Sequence, residues 1–205
     1  MSAPSDHPFT PDLFERMDET DDALFYSLPR KVVHIDPEAI RAVARYYEEI
    51  VPDAGDLLDL MSSWRSHLPQ KPRAARVVGL GMSAEEMADN PDLTEHVVHD
   101  LNAEPRLPFG DESFDAAILS VSLQYVIHPI EIFRDVARVL RAGAPFAVVL
   151  SHRCFPTKAV KIWHQCQSMR ERMELGMTYF QYAGGFIDVM GVDLRPVARG
   201  EQDPV

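Results

Sequence analysis

Short apolar runs alternate with amphipathic segments along most of the chain. DLLDLM (56–61), ARVVGLG (75–81), EHVVHD (95–100), FDAAILS (114–120) and PFAVVLS (145–151) are bounded by Gly, Pro, Asp or Ser, and most are apolar on both faces. That pattern predicts strands of a parallel sheet covered on both sides. Four helices are predicted around and between them, over 37–51, 83–90, 128–143 and 156–175. In the first, Ile40, Val43, Ala44, Tyr47 and Val51 recur at helical spacing, behind Asp36 as N-cap and Pro37 at the first helical position. In the third, Ile132, Phe133, Val136, Val139 and Leu140 form one stripe ahead of Gly143, a stop signal. Alternating strands and helices imply right-handed crossovers and an α/β fold: a doubly wound, mostly parallel sheet with helices on both faces. The tail from Ala183 is expected to supply a final hairpin.

Length, charge and cysteine count narrow the partners. The 205 residues suit a single domain able to bury a large core. A net charge of −12, from 32 acids and 20 bases, repels phosphate backbones and anionic lipids. Neither nucleic acid nor membrane is therefore an expected partner. A small molecule is the default one, with the chain a monomer or homodimer. No apolar run approaches the roughly 20 residues that cross a bilayer, and the acidic N-terminus lacks a signal-peptide pattern. Two cysteines, Cys154 and Cys166, suit a reducing compartment, so a cytoplasmic location is expected.

In an open parallel sheet, ligands bind beyond the carboxyl ends of the strands. That rule nominates the turns after each predicted strand, above all the stretch LLDLMSSWRSHLP (57–69). It opens as a nucleotide loop does, with an apolar strand ending on an acid, Asp59. Yet Met61, Ser62, Ser63, Trp64 and Arg65 stand where glycines would let a backbone approach a pyrophosphate. NAD, FAD and ATP are disfavoured on that ground. S-adenosylmethionine (SAM) carries no phosphate and needs less clearance.

LLDLMSSW, VVGLGMSAEEM, VVHDLNAEPRLPFGDESFDAAILS and VARVLRAGAPFAVV fall in the order of the class I SAM-dependent methyltransferases, which this chain resembles. LPFGDESFDAAILS is similar to the segment that leads into the fourth strand of the small-molecule group called type 11. FYSLPRKVVHID, SHRCFPTKAVKIW and YFQYAGGF extend the likeness to a branch whose members also lack the glycine loop. The resemblance implies methyl transfer from SAM to a small-molecule acceptor, with S-adenosylhomocysteine released. A small thiol or sulfide is favoured as acceptor because it needs least catalytic machinery. The alternative is a binding or regulatory protein that keeps the fold without catalysis. The resemblance also implies an N-terminal helical lid over 1–36 on a methyltransferase-like domain over 37–205.

By that likeness the cofactor residues are Asp59, Met61, Ser62, Ser63, Gly81, Met82, Asp100, Leu101 and Asn102. The acid that usually grips the ribose hydroxyls from the end of the second strand is replaced by Gly81, and the nearest acids, Glu85 and Glu86, lie in the following helix. Asp100 is open to two readings, adenine recognition or capping of the next turn. Asp59 fits a loop-holding role as well as a ligand contact. Tyr26 and Arg30 are the substrate-binding candidates, Arg30 through its planar fork. His128, Tyr125 and His34 are the catalytic candidates. Of these, His128 equally suits a helix N-cap and Tyr125 a pocket wall. His152, Cys154, His164 and Cys166 do not make a metal site, because in a helix His164 and Cys166 project about 200° apart. No metal is expected.

Overall fold

The computed structural model describes residues 7–69 and 74–194. Five strands, β1 (Asp56–Leu60), β2 (Arg76–Gly81), β3 (Glu95–Val98), β4 (Ala116–Ser120) and β5 (Phe146–Val149), form one parallel sheet. Their order is β3-β2-β1-β4-β5. The chain winds outward from β1 to β3 and then crosses back to β4. The winding direction therefore reverses between β1 and β4, and a crevice opens at their carboxyl ends.

Alternate strand residues point to opposite faces, and both faces of β1, β2, β4 and β5 are covered, whereas the edge strand β3 stays largely exposed. Leu58, Leu60, Val78, Leu80, Ala117 and Leu119 pack with residues of α4 (Pro129–Val139) and α6 (Met169–Ala183). Leu57, Val77, Ala116, Ile118, Ala147 and Val149 pack with Ala39, Val43 and Tyr47 of α2 (Pro37–Ile50). Burial on both sides is the reason these strands read as continuous apolar runs. At the start of α2, Asp36 Oδ1 accepts from Glu38 N at 2.8 Å and Ala39 N at 2.9 Å, the N-cap its sequence predicts. Gly143 takes a φ of 80° in the turn that leads into β5.

Two expectations are corrected. The single helix over 156–175 is two helices, α5 (Lys161–Gln165) and α6, because the Ser168 hydroxyl accepts from Glu171 N and starts a new helix. Residues before α5 are drawn instead into pairing with the N-terminal segment. Arg16 bridges Val160 in antiparallel fashion, Asp18 N donates to Thr157 O at 2.9 Å, and Lys161 N to Glu15 O at 2.8 Å. The expected final hairpin does not form among the described residues. After Ala183 the chain stays irregular to Leu194, with Phe186 packed edge-on to Phe180 at 4.9 Å. The rest of that predicted hairpin lies outside the described residues. Among those residues no helix is long and apolar enough to cross a membrane.

Candidate functional site

The carboxyl ends of the strands and part of the N-terminal segment enclose a cavity of about 1190 Å³ of interatomic space, open mouth included. Tyr26, Arg30, His34, Asp59, Met61, Ser62, Ser63, Gly81, Met82, Asp100, Leu101, Asn102 and Tyr125 all line it. His128 does not. It stands half-buried at the N-cap position of α4, away from the cavity wall, so the catalytic role considered for it is withdrawn.

The loop after β1 is closed by its own side chains. Asp59 is 2% exposed, and its Oδ2 accepts from Ser62 Oγ at 2.7 Å and Ser66 Oγ at 2.6 Å. Asn90 Nδ2 braces the same loop through Ser66 Oγ at 2.9 Å and Ser63 O at 2.8 Å. Burial raises the Asp59 carboxyl to about 6 against the lowering effect of the two hydroxyls. Met61 sits at φ 52° and Val121 at φ 53°, so the turns leaving β1 and β4 both carry left-handed residues beside the cavity. Trp64 Nε1 donates to Val32 O at 3.2 Å and ties the loop to the N-terminal segment.

This loop also explains the missing acid on β2. Ser62 N donates to Leu80 O at 2.9 Å, which lays the loop across the end of β2. A Cβ on Gly81 would stand 2.2 Å from the Ser62 carbonyl oxygen. No side chain fits there, acidic or otherwise. Glu86, on the short helix α3 (Ala84–Ala88), reaches the cavity instead. It is 4% exposed, and its carboxylate accepts from Ser63 Oγ at 2.5 Å and from the Arg30 backbone N–H.

Asn102, which lines the cavity, is also a joint in its wall. Its Nδ2 donates to Asp22 Oδ2 and to Tyr125 O, each at 3.0 Å, and its Oδ1 accepts from Ile127 N at 3.0 Å. Asp100 realises the capping reading through Oδ1, which accepts from Asn102 N at 2.8 Å and Ala103 N at 3.3 Å, while the residue still lines the cavity.

Sequence reasoning missed a buried charge cluster in the same wall. Asp22, on the short helix α1 (Asp22–Phe25), receives both its oxygens' bonds from Arg16 Nη1, at 2.9 and 2.7 Å. Lys158, 1% exposed, lies 3.0 Å from Asp22 Oδ1 and donates to Thr20 O at 2.6 Å. Burial alone would raise the Asp22 carboxyl; bonds from Arg16, Asn102 and Lys158 hold it below the usual range. Nothing in the periodicity marks these residues, since each reaches its partner only through the tertiary fold.

At the mouth, Arg30 stacks 3.9 Å over the Phe25 ring, and its Nε donates to Phe25 O at 3.1 Å. No carboxylate pairs with its guanidinium among the described residues. His34 meets Phe155 edge-on at 4.9 Å; burial, helped by the Arg153 charge, lowers its pKa and leaves the ring neutral at pH 7. Tyr125 Oη accepts from Phe155 N at 2.8 Å, and burial pushes its hydroxyl up to about 12. Burial also raises the Tyr26 hydroxyl and both cysteine thiols, so none of these ionises readily. Among the described residues no three His, Cys, Asp or Glu gather as metal ligands.

Comparison with known proteins places the chain's middle. Residues 62–148 match the model of the methyltransferase domain, type 11. Over 65 residues the chain is 34% identical to the biotin biosynthesis bifunctional protein BioHC of Teredinibacter turnerae, a match spanning 32% of this chain and 11% of that protein. It is also similar to the structure of a SAM-dependent methyltransferase from Mesorhizobium loti, with 25% identity, 54% of each chain covered and a TM-score of 0.43. The (4+2)-cyclase SpnF is similar at 22% identity, over 62% of this chain and 54% of that one, with a TM-score of 0.47.

Proposed function

We propose that this chain, whose residues 62–148 match the methyltransferase-domain model, is a class I methyltransferase that moves a methyl group from SAM to a small-molecule acceptor and releases S-adenosylhomocysteine. One observation carries the reading: loop 61–67, Gly81, Asp100 and Leu101 from the strand ends meet Tyr26, Arg30 and His34 from the N-terminal segment around one cavity. SAM, when bound, supplies a methyl on a sulfonium, whose carbon–sulfur bond breaks as the acceptor's lone pair forms the new bond.

The residues divide the work by their bonding capacity. Ser62 and Ser63 already donate their hydroxyl protons to Asp59 and Glu86, so their oxygens are left to accept from the cofactor's ammonium. Arg30 offers the fork for a carboxylate. Leu80, Leu101 and Val121 give the apolar wall for adenine, with Asp100 at its edge and Met61 and Met82 beside it. Tyr26 and Tyr125 present ring faces to a sulfonium and walls to the acceptor. His34, neutral at pH 7, takes the acceptor's proton where one must leave. An acceptor of the thiol or sulfide class needs little more than this alignment and the exclusion of water. Residues 23–36 of the N-terminal segment act as the lid.

Titration calorimetry with SAM and then S-adenosylhomocysteine tests the reading. Micromolar binding of both is expected, weakened by Ser62→Leu, followed by turnover on an acceptor panel containing thiols, amines and phenols. Turnover confined to amines or phenols would remove the thiol preference alone. Binding without turnover on any acceptor would favour the non-catalytic alternative. No heat and no thermal stabilisation would sink both.

A further inference from the structure

We infer that Glu86 is the ribose-binding acid of this protein, transferred from the end of β2 to the helix that follows. The inference rests on the SAM reading above. In nucleotide-binding α/β sheets an acid at the end of the second strand accepts hydrogen bonds from the ribose hydroxyls. Here that position is sterically closed, because a side chain at Gly81 would run into the Ser62 carbonyl oxygen at 2.2 Å. The obstacle is backbone, pinned by the Ser62 N–H bond to Leu80 O at 2.9 Å, so it yields only if the loop or strand shifts. The serine loop and the lost acid are one structural event.

Glu86 has the properties the vacated role requires. It follows Gly81 by five residues, and it bonds directly to Ser63 in the loop after β1. It lines the cavity while only 4% exposed. A buried carboxylate is costly unless it is paired or well supplied with donors. No base pairs with Glu86 among the described residues; Lys31, on the same side, pairs with Asp89 instead. Its donors are one hydroxyl and one backbone N–H, one to each oxygen. A carboxylate accepts about four hydrogen bonds, so each oxygen keeps a free lone pair. A vicinal diol supplies two donors of the right kind.

The other acids of the wall have other tasks, Asp59 and Asp100 through one oxygen each, and neither follows β2 as Glu86 does. Asp59 holds Ser62 and Ser66, Asp22 is shared by Arg16, Lys158 and Asn102, and Asp100 caps its own turn. Glu86 bonds to Arg30 N as well, so a diol placed against it also meets the N-terminal segment.

The test compares S-adenosylhomocysteine with its 2′-deoxyribose analogue by calorimetry on the full chain. Wild type is expected to prefer the natural ligand. Glu86→Gln is expected to lose roughly 10- to 100-fold affinity for S-adenosylhomocysteine, the worth of a hydrogen bond to a charged group, and far less for the analogue. Ser63→Ala breaks the same strap without facing the ribose, so it should move both ligands together and keep the preference. If Glu86→Gln weakens both ligands equally, Glu86 is only a strap and the assignment falls while SAM binding stands. If Glu86→Gln does not fold, Glu86→Asp serves in its place: retained folding with loss of the preference supports the assignment, and an intact preference overturns it. Wild type that binds neither ligand overturns the assignment together with the reading beneath it.

Discussion

At the scale of single residues, Asp59 and Gly81 set what the site permits. Asp59 keeps its proton more tightly folded than unfolded, about 6 against an ordinary 3.8. The folded chain therefore holds an extra proton between those values, and this residue's contribution to stability falls as pH rises through that window. The gap corresponds to something on the order of 3 kcal/mol. Asp59→Asn keeps an acceptor for Ser62 and Ser66 but cannot ionise. Denaturant unfolding of both proteins at low and neutral pH should show the variant gaining on wild type as pH rises. A gap independent of pH would disprove it. Gly81→Ala should cost about 1–3 kcal/mol, because its new Cβ meets backbone at 2.2 Å and the loop or strand must shift. Unchanged denaturation would show that loop 61–63 yields freely. That Asp59 holds the loop was legible from its place at a strand end. That Gly81 is compulsory was not, since the obstructing carbonyl comes from another strand's loop.

Among elements, the N-terminal segment behaves as two pieces. Residues 9–22 are fastened by the Arg16–Val160 bridge, by backbone bonds to Thr157 and Lys161, and by the Arg16–Asp22–Lys158 cluster. Phe9 adds aromatic packing on Tyr179 at 5.2 Å. Residues 23–34 carry Leu24 and Leu28 outward at 70% and 72% exposure, and they are tied to the body by Arg30 to Glu86, Trp64 to Val32, the exposed Lys31–Asp89 pair and the rings of Phe25 and His34 on Phe155. Asp22→Asn should therefore destabilise the protein by about 2–4 kcal/mol, since it leaves two buried cations with only the more distant acids Glu19 at 3.7 Å and Asp18 at 3.6 Å. Arg16→Met in that background should recover part of the loss, which a chemical-denaturation cycle would read. Failure to recover any would mean that Asn102 and geometry, rather than charge, hold the cluster. The split of the expected helix over 156–175 belongs to the same scale. Its apolar positions suit a helix locally, but Glu15 to Asp18 compete for the backbone of Thr157 to Lys161.

Across the whole molecule, a buried sheet carries a site edged by exposed chain, and hydrogen exchange should separate the two. Amides of β1, β2 and β4 should exchange slowest, with residues 9–22 protected well beyond 23–34. Addition of S-adenosylhomocysteine should slow 23–34 and the loop after β1 selectively; uniform slowing would contradict a lid. The sequence by itself determined the α/β class, five strands, the helices α2 and α4 and the band of strand ends where the cavity opens. It did so because burial on both faces and helical periodicity are local patterns that survive any surroundings. The tertiary structure alone decided which of the nominated side chains line the cavity and which are bonded to one another. It committed Asn102 to Asp22 and Tyr125, turned His128 away, barred an acid from position 81 and brought Glu86, Arg16 and Lys158 to the wall. Hydrogen bonds and steric contacts between residues far apart in sequence are set by how the elements pack, and no window of the chain contains both partners.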